Sequence, residues 1–446
     1  MEEVKSFILN NNLVKKGEVI GIGVSGGLDS MALLYMMNDI AYDLDIQIVA
    51  VHINHGIREE SIYEEEFVEQ KCKEIGVRFY KFRIDAPKIA QEKNLSLETA
   101  ARDGRYMVFD ALITKGIVDK IALAHHLDDQ AETLLMHLFR VSGMTGAKGM
   151  APIRDNKYIR PLLEFSKKQL EDYVNVNSIE HVEDESNADV TFNRNFIRNV
   201  VMKEVVKRWP NAVSALANFS KSLVEDDSFI CSQIREDAVI RDNNLVQIPC
   251  SCFLYHNSVV TRTIFKALAT LGIKQDIERK HIAMVKDLAL NGENGKKIKL
   301  PNQIMVLKEY DYITIHSSKK DKLTLNQEFK SGEFEVKGFG KVVVKRVKDF
   351  DVNATNGDCL YFDFRKVPKT ARWRFREDGD VFEKFGGGSK KLKSYLVDKK
   401  VPQRIRNILP VLADGNEVYV IAGVEISDKV RLDDGVTTCC RVEVKK

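Results

Sequence analysis

Very little in the bulk of this 446-residue chain declares a purpose. No apolar run approaches the roughly 20 residues needed to cross a bilayer. The opening, MEEVKSFILNNNLVKK, has acidic residues where a secretory leader needs basic ones, and no apolar stretch follows it. Net charge is only +3, so no global field points to a polyanion and any basic surface must be local. Cysteines number seven, odd and scattered, which excludes a disulfide framework. There is no internal repeat and no low-complexity tract. These absences predict a cytoplasmic protein with no membrane contact. What remains is 44% hydrophobic and 30% charged, a globular composition, with length for about three domains.

The first two hundred residues alternate. Strand-length apolar runs (VIGIGV, IQIVAVHI, VRFYKFRI, DKIALAHH) are separated by segments of helical period, such as MALLYMMNDIAYDL and LSLETAARDGRYMVFDALITKGI. This predicts an α/β fold, a Rossmann-like parallel sheet with helices on both faces. Trp209-Pro210 stops the helix before it, so the first domain is expected over 1–210. A helical α+β middle domain is expected over 211–322, with a hairpin at KKIKLPNQIMVLKEYDYITIH. A basic C-terminal domain is expected over 323–446, reached through a strand-rich linker to about 365.

Within VIGIGVSGGLDSMALL two nucleotide fingerprints overlap. Gly21-Ile-Gly23-Val-Ser-Gly26 spells a dinucleotide motif, but Gly21 and Gly23 alternate with apolar residues and belong inside the strand. The next strand ends in His52-Ile-Asn-His55, with no carboxylate for a ribose. A Walker loop fails too, because no lysine precedes Ser30. Ser25, Gly26, Gly27, Leu28, Asp29 and Ser30 remain, between strand and helix. Two glycines let backbone amides turn inward, the helix start attracts anions, and Asp29 beside a polyphosphate implies Mg²⁺ between them. The plain alternative for such a hexapeptide is a helix cap, and the strand directly before it argues against that. The hexapeptide resembles the pyrophosphate loop of the ATP pyrophosphatases, the PP-loop superfamily. That resemblance implies ATP cleaved to AMP and pyrophosphate, with an oxygen activated as an adenylate.

Four further stretches lie downstream. HINHGIR brings His52, His55 and Arg58 to a strand's carboxyl end, where open sheets bind ligands. ETAARDGRY carries Arg102 and Arg105 in a helix, where Glu98 and Arg102 alone would read as a surface pair. AHHLDDQAET places His125, Asp128, Asp129 and Glu132 at a strand–helix junction, with spacing unlike a zinc helix and compatible with a helix cap. DESNADVTFNRNFIRN adds Arg194 and Arg198. Together these stretches resemble the tRNA(Ile)-lysidine synthetase family. RFREDGD and the segment from Lys390 to Arg404 resemble its C-terminal domain. Ile57, where leucine is commoner, is a small departure.

The resemblance implies adenylation of the wobble cytidine of an isoleucine tRNA with a CAU anticodon, followed by attack of free L-lysine and loss of AMP. It implies ATP and Mg²⁺ as cofactors, with the Ser25–Ser30 loop on pyrophosphate. Asp29 and Asp129 are then expected on the metal, and Asp29, Asp129 and Arg198 in catalysis. His52, His55, Arg58, Arg102, Arg105, His125, Asp128, Glu132 and Arg194 are expected around the adenylate and substrate. The tail supports an RNA partner on its own terms. Between Arg365 and Arg406 fourteen Lys/Arg stand against five Asp/Glu, so the rest of the chain is net acidic. Arg372, Arg374, Lys390, Lys391, Lys393, Lys400 and Arg404 are expected to meet tRNA phosphates. A homodimer is compatible with the sequence. Two rival chemistries lose ground. Sulfur transfer wants a C-x-x-C pair and the first domain has only Cys72, while a glutaminase would need a nucleophile the chain does not open with. A non-catalytic RNA binder would have no use for Asp29 and Asp129.

Overall fold

The computed structural model describes every residue except 57–60, 140–143, 145, 184–188, 243–244, 274–275, 318–323, 349, 351–358, 434–435 and 446. The chain divides into two compact units, Met1–Phe229 and Ile230–Lys446. Helix Ala212–Ser232, read from sequence as the start of a middle region, therefore crosses the division.

The first unit runs α1 (Glu2–Asn10), β1 (Val19–Gly23), α2 (Leu28–Ala41), β2 (Gln47–Asn54), α3 (Ser61–Glu74), β3 (Arg78–Arg83) and α4 (Ala86–Lys93). It continues α5 (Leu97–Thr114), β4 (Lys120–Ala122), α6 (Leu127–Phe139), β5 (Ile153–Arg154), β6 (Tyr158–Ile159) and α7 (Lys167–Val176). The sheet order is β3-β2-β1-β4-β6-β5, parallel throughout except for β5 against β6. The strand order reverses direction between β1 and β4, the crevice where doubly wound sheets bind ligands at strand carboxyl ends. Apolar packing covers both faces. Ile20 and Ile22 enter one cluster with Met31, Leu34 and Val68, while Phe109, Leu112 and Ile121 fill the other.

The strand glycines have a packing reason. A Cβ on Gly21 would stand 2.6 Å from Ile121 Cδ1, and one on Gly23 would stand 3.4 Å from the Phe109 ring. Both glycines let the β4 and α5 side close tightly on β1, as expected for residues inside the strand.

In the second unit a five-stranded antiparallel sheet carries helices Asn257–Thr270 and Arg279–Asn291 on a core of Val246, Ile264, Val285 and Ile313. The expected hairpin is there: Lys297–Leu300 pairs with Ile304–Glu309, which pairs with Tyr312–Ser317. Two further sheets complete the unit. The stretch expected to be a linker up to about 365 is built into them, because Gly340–Val347 pairs along its length with the C-terminal strand Cys439–Lys445. Its alternating valines join Trp373, Val420 and Phe362 in one core. All seven cysteines are free. Among the described residues no helix is long and apolar enough to cross a membrane.

One polar cluster ties the five-stranded sheet to the C-terminal part of the same unit. Glu309, 3% exposed, accepts from Thr314 Oγ1 at 2.8 Å and from Arg404 Nε at 2.9 Å. Removing one partner strands the other charge in a low-dielectric setting. Glu309→Ala should therefore destabilise the Ile230–Lys446 unit by about 3 kcal/mol, read as a lower urea midpoint with an unchanged m-value.

Candidate functional site

β1 ends at Gly23 and α2 begins at Leu28, so the SGGLDS loop is a strand-to-helix turn in the β1/β4 crevice. Gly26 sits at φ +93°, a conformation in which a side chain would be strained, and its carbonyl accepts from Val182 N at 3.0 Å. Ser30 Oγ donates to Gly27 O at 2.9 Å and accepts from Ser25 N at 3.1 Å. The two serines thus brace the loop against itself. Gly27 is the N-cap of α2 and no side chain caps that end. First-turn amides left without a side-chain acceptor, at the positive pole of a helix, form an anion seat.

Asp29 stands in the same first turn. Lys167 Nζ donates to its Oδ1 at 2.7 Å, and His126 Nε2 lies 3.6 Å from its Oδ2. The same His126 nitrogen is 3.6 Å from Asp129 Oδ2, and its Nδ1 is 3.7 Å from Asp128 Oδ2. One buried imidazole is therefore ringed by three carboxylates. Burial opposes its charge, but Asp128, Asp29 and Asp129 overcome that and raise its pKa to about 9. Burial likewise works to raise Asp29 and Asp128. His126 and the Lys167 side chain hold Asp29 below its usual range, and His126 with the Lys167 amide does the same for Asp128.

Asp129 and Glu132, three residues apart on α6, are 6% and 2% exposed. Two guanidiniums fold over both. Arg194 Nη2 meets Asp129 Oδ1 at 3.0 Å and its Nε meets Glu132 Oε2 at 2.9 Å. Arg198 Nη2 meets Asp129 Oδ1 at 2.8 Å and its Nε meets Glu132 Oε1 at 2.6 Å. Asp129 Oδ2 also accepts from the His126 amide at 3.0 Å. Against burial, His126, Arg194 and Arg198 keep Asp129 strongly ionised. The arginines come from a continuous helix whose ends, α8 (Asn193–Phe196) and α9 (Met202–Arg208), flank a π turn, Ile197–Val201. Ile197 and Met202 pack on Ala131 of α6, which docks this helix on the acids.

The remaining sequence candidates form the rim. His52 is buried under the loop with Nδ1 3.0 Å from Val24 O, and burial lowers its pKa. His55 is lowered to about 4 by burial, then by Arg105 and His52. His125 is lowered to about 3, by burial and then by Arg160, Arg194 and Arg105, although Asp129 pulls the other way. The adjacent histidines thus divide, His125 neutral and His126 charged. Arg102 and Arg105 are exposed on α5. Arg58 and Asp184–Asn187 lie outside the described residues.

Two participants are not marked by the sequence. The motif points to His125 rather than His126, since a His-His pair does not say which ring faces the acids. Lys167 opens α7 behind a Ser166/Gln169 capping box, a legible helix start whose tertiary aim is not legible. Among the described residues no group of three or more His, Cys, Asp or Glu is arranged to hold a metal ion.

In the second unit Arg372, Lys391, Lys393 and Lys400 are exposed. Lys390 pairs with Asp398. Arg374 and Arg404 depart from expectation. Arg374 is bound to buried Asp380 at 2.8 Å and to Gly415 O at 2.7 Å, and Arg404 is bound to Glu309. Both are internal ties, since a buried carboxylate left alone would cost more than a surface phosphate contact returns.

Comparison with known proteins agrees with this layout. A PP-loop domain model matches residues 2–205, and a TilS substrate C-terminal domain model matches 371–444. The chain is 32% identical to the tRNA(Ile)-lysidine synthase of Clostridium tetani over 99% of this chain and 97% of that one. It is 29% identical to the enzyme of the same name from Bacillus subtilis, over 96% and 94% respectively. The chain belongs to the tRNA(Ile)-lysidine synthase family. Among solved structures, the U34-tRNA thiolase NcsA of Methanococcus maripaludis aligns with a TM-score of 0.42 at 16% identity, over 50% of this chain and 78% of that one.

The His126 ring has a consequence for stability. A pKa raised from an ordinary 6.5 to about 9 means folding is favoured while the ring is charged. That stabilisation is complete below about pH 6.5 and is lost as pH rises through 9, about 3 kcal/mol in all. Urea melts from about pH 6 to about pH 10 should show the first unit weakening across this window, and His126→Gln should flatten the slope.

Proposed function

We propose that this chain ligates L-lysine to the wobble cytidine of an isoleucine tRNA with a CAU anticodon, by way of an adenylated cytidine, in the cytoplasm. Family membership sets the reaction. The observation that carries it to these residues is the uncapped α2 start behind the SGGLDS turn, with Asp29 beside it. A triphosphate laid on that seat presents its terminal two phosphates to backbone amides and the helix pole.

In the first step the ring carbonyl oxygen of the cytidine attacks the α-phosphorus of ATP, and the bond to pyrophosphate breaks. The loop from Ser25 to Ser30 holds the departing pyrophosphate. Lys167 and the charged His126 stand beside Asp29 and face the same phosphates. Asp29 fits Mg²⁺: its carboxylate is partly exposed at the phosphate seat, and the ion takes one or two carboxylates plus phosphate oxygens. There it would neutralise phosphate charge. Asp129 does not fit, because both its oxygens already accept from Arg194, Arg198 and the His126 amide. The metal assignment therefore narrows to Asp29.

In the second step the ε-amine of lysine, having given its ammonium proton to solvent, attacks the activated ring carbon, and the bond to the AMP oxygen breaks so that AMP leaves. Asp129 and Glu132 are the buried acids available to a lysine ammonium, which could take the place of a guanidinium. Arg194 and Arg198 would then turn toward the adenylate phosphate. Neutral His55 and His125 line the rim without adding positive charge. Arg372, Lys391, Lys393 and Lys400 supply phosphate contacts for the tRNA body.

Incubation with ATP, Mg²⁺, lysine and isoleucine tRNA should release AMP and add one lysine residue to the tRNA by mass. ADP as product, or AMP formation with no lysine incorporated, would refute the assignment. Asp29→Asn should cut AMP formation roughly a hundredfold or more while the fold, by circular dichroism, is kept. Replacing Lys391 and Lys393 together with glutamine should weaken tRNA binding and lower the slope of log affinity against log salt by roughly two.

A further inference from the structure

The helix that carries Arg194 and Arg198 has a second row that the chemistry above does not use. Phe192, Phe196 and Val200 recur every four residues and are 38%, 46% and 40% exposed. The rows are sorted by face. Ile197, Val201 and Met202 pack toward Ala131 and Leu135, and Arg194 and Arg198 close on Asp129 and Glu132. The aromatic row is left to solvent, on the same helix as Arg194 and Arg198, which the reaction above turns toward the adenylate phosphate. Two phenylalanines one helical turn apart, with this much surface uncovered by the described residues of their own unit, are costly unless something flat and apolar covers them.

Their setting says what covers them. Arg194 and Arg198 are taken up by Asp129 and Glu132 and Lys207 pairs with Glu204, but Lys203 and Arg208 on the same helix are exposed cations that keep it locally positive. A positive, aromatic-bearing helix beside a site that must receive one base from a loop is complementary to single-stranded RNA. Phosphates meet the cations and unstacked bases lie on the rings. A protein partner would be served by the apolar row, but the family's substrate is an RNA, which uses both the rings and the cations. Resting on the function proposed above, we infer that Phe192 and Phe196 are a stacking platform for anticodon-loop bases that flank the modified cytidine, so that the loop is held open while that base enters the site.

Stacking depends on a π face, whereas ordinary hydrophobic contact does not, and substitutions separate the two. Phe196→Leu and the double change Phe192→Leu/Phe196→Leu keep apolar bulk. They should raise the KM for isoleucine tRNA, and the Kd for its isolated anticodon stem-loop, roughly tenfold. The KM values for ATP and lysine should not move. Phe196→Trp should keep tRNA binding at the wild-type level. Leucine variants that match the wild type for tRNA, or that lose ATP, lysine and tRNA affinity alike, would overturn the platform. Wild-type lysine incorporation is the separate check: if it fails, the functional reading itself falls, whereas leucine variants with normal tRNA parameters in an enzyme that does incorporate lysine sink only this inference.

Discussion

Two buried carboxylates, Asp129 and Glu132, decide how the first unit is built around its crevice. Neither is tolerable in a dry interior alone, since each would need compensation on the scale of several kcal/mol. Arg194 and Arg198 supply it with four short bonds that cross between α6 and a helix more than sixty residues later. The rest of the site is arranged around that demand. Arg194 and Arg198, four residues apart, reach the same acids from one helix face, and the His126 amide takes the remaining oxygen of Asp129. With its amide fixed there, the His126 ring stands between Asp29 and Asp129, where it is charged. Asp29, in the first turn of α2, and Asp129 on α6 thus share one imidazole, 3.6 Å from each.

The alternation of strand and helix was legible because period-2 and period-3.6 patterns are local, and β1 to β4 fall where the apolar runs predict them. The place of the loop was legible for the same reason: six consecutive residues lie between a strand and a helix, as their local pattern predicts. Asp129, Glu132, Arg194 and Arg198 could be named from motifs, but their mutual bonding could not, because it depends on how two helices dock. The charge of His126 was hidden more deeply, since three acids from two different elements create it.

Basic residues of the second unit show the opposite failure. Arg374 and Arg404 look like Lys391 and Lys393 in sequence, all exposed-type cations in a positive stretch. What separates them is the acid each finds: Asp380 six residues on for Arg374, and Glu309 ninety-five residues back for Arg404. Charge counting sees the surplus of cations and not which of them are already engaged. The linker was misjudged for a related reason. A strand with no nearby partner reads as a connector, whereas here its partner is the last strand of the chain.

The order in which the chain is made gives the Arg194–Arg198 helix one more meaning. Lys167 closes on Asp29 across 138 residues, and Arg198 closes on Asp129 across 69. During synthesis the acids of α6 emerge well before the guanidiniums that neutralise them. The sheet can collect its strands in that interval, but α6 cannot bury Asp129 and Glu132 at tolerable cost. Dry burial of the ionised acids of α6 therefore waits on Arg194 and Arg198. The last helix of the first unit's site is thus also the element that makes its central acids tolerable, so binding chemistry and stability of that unit rest on the same four guanidinium–carboxylate contacts.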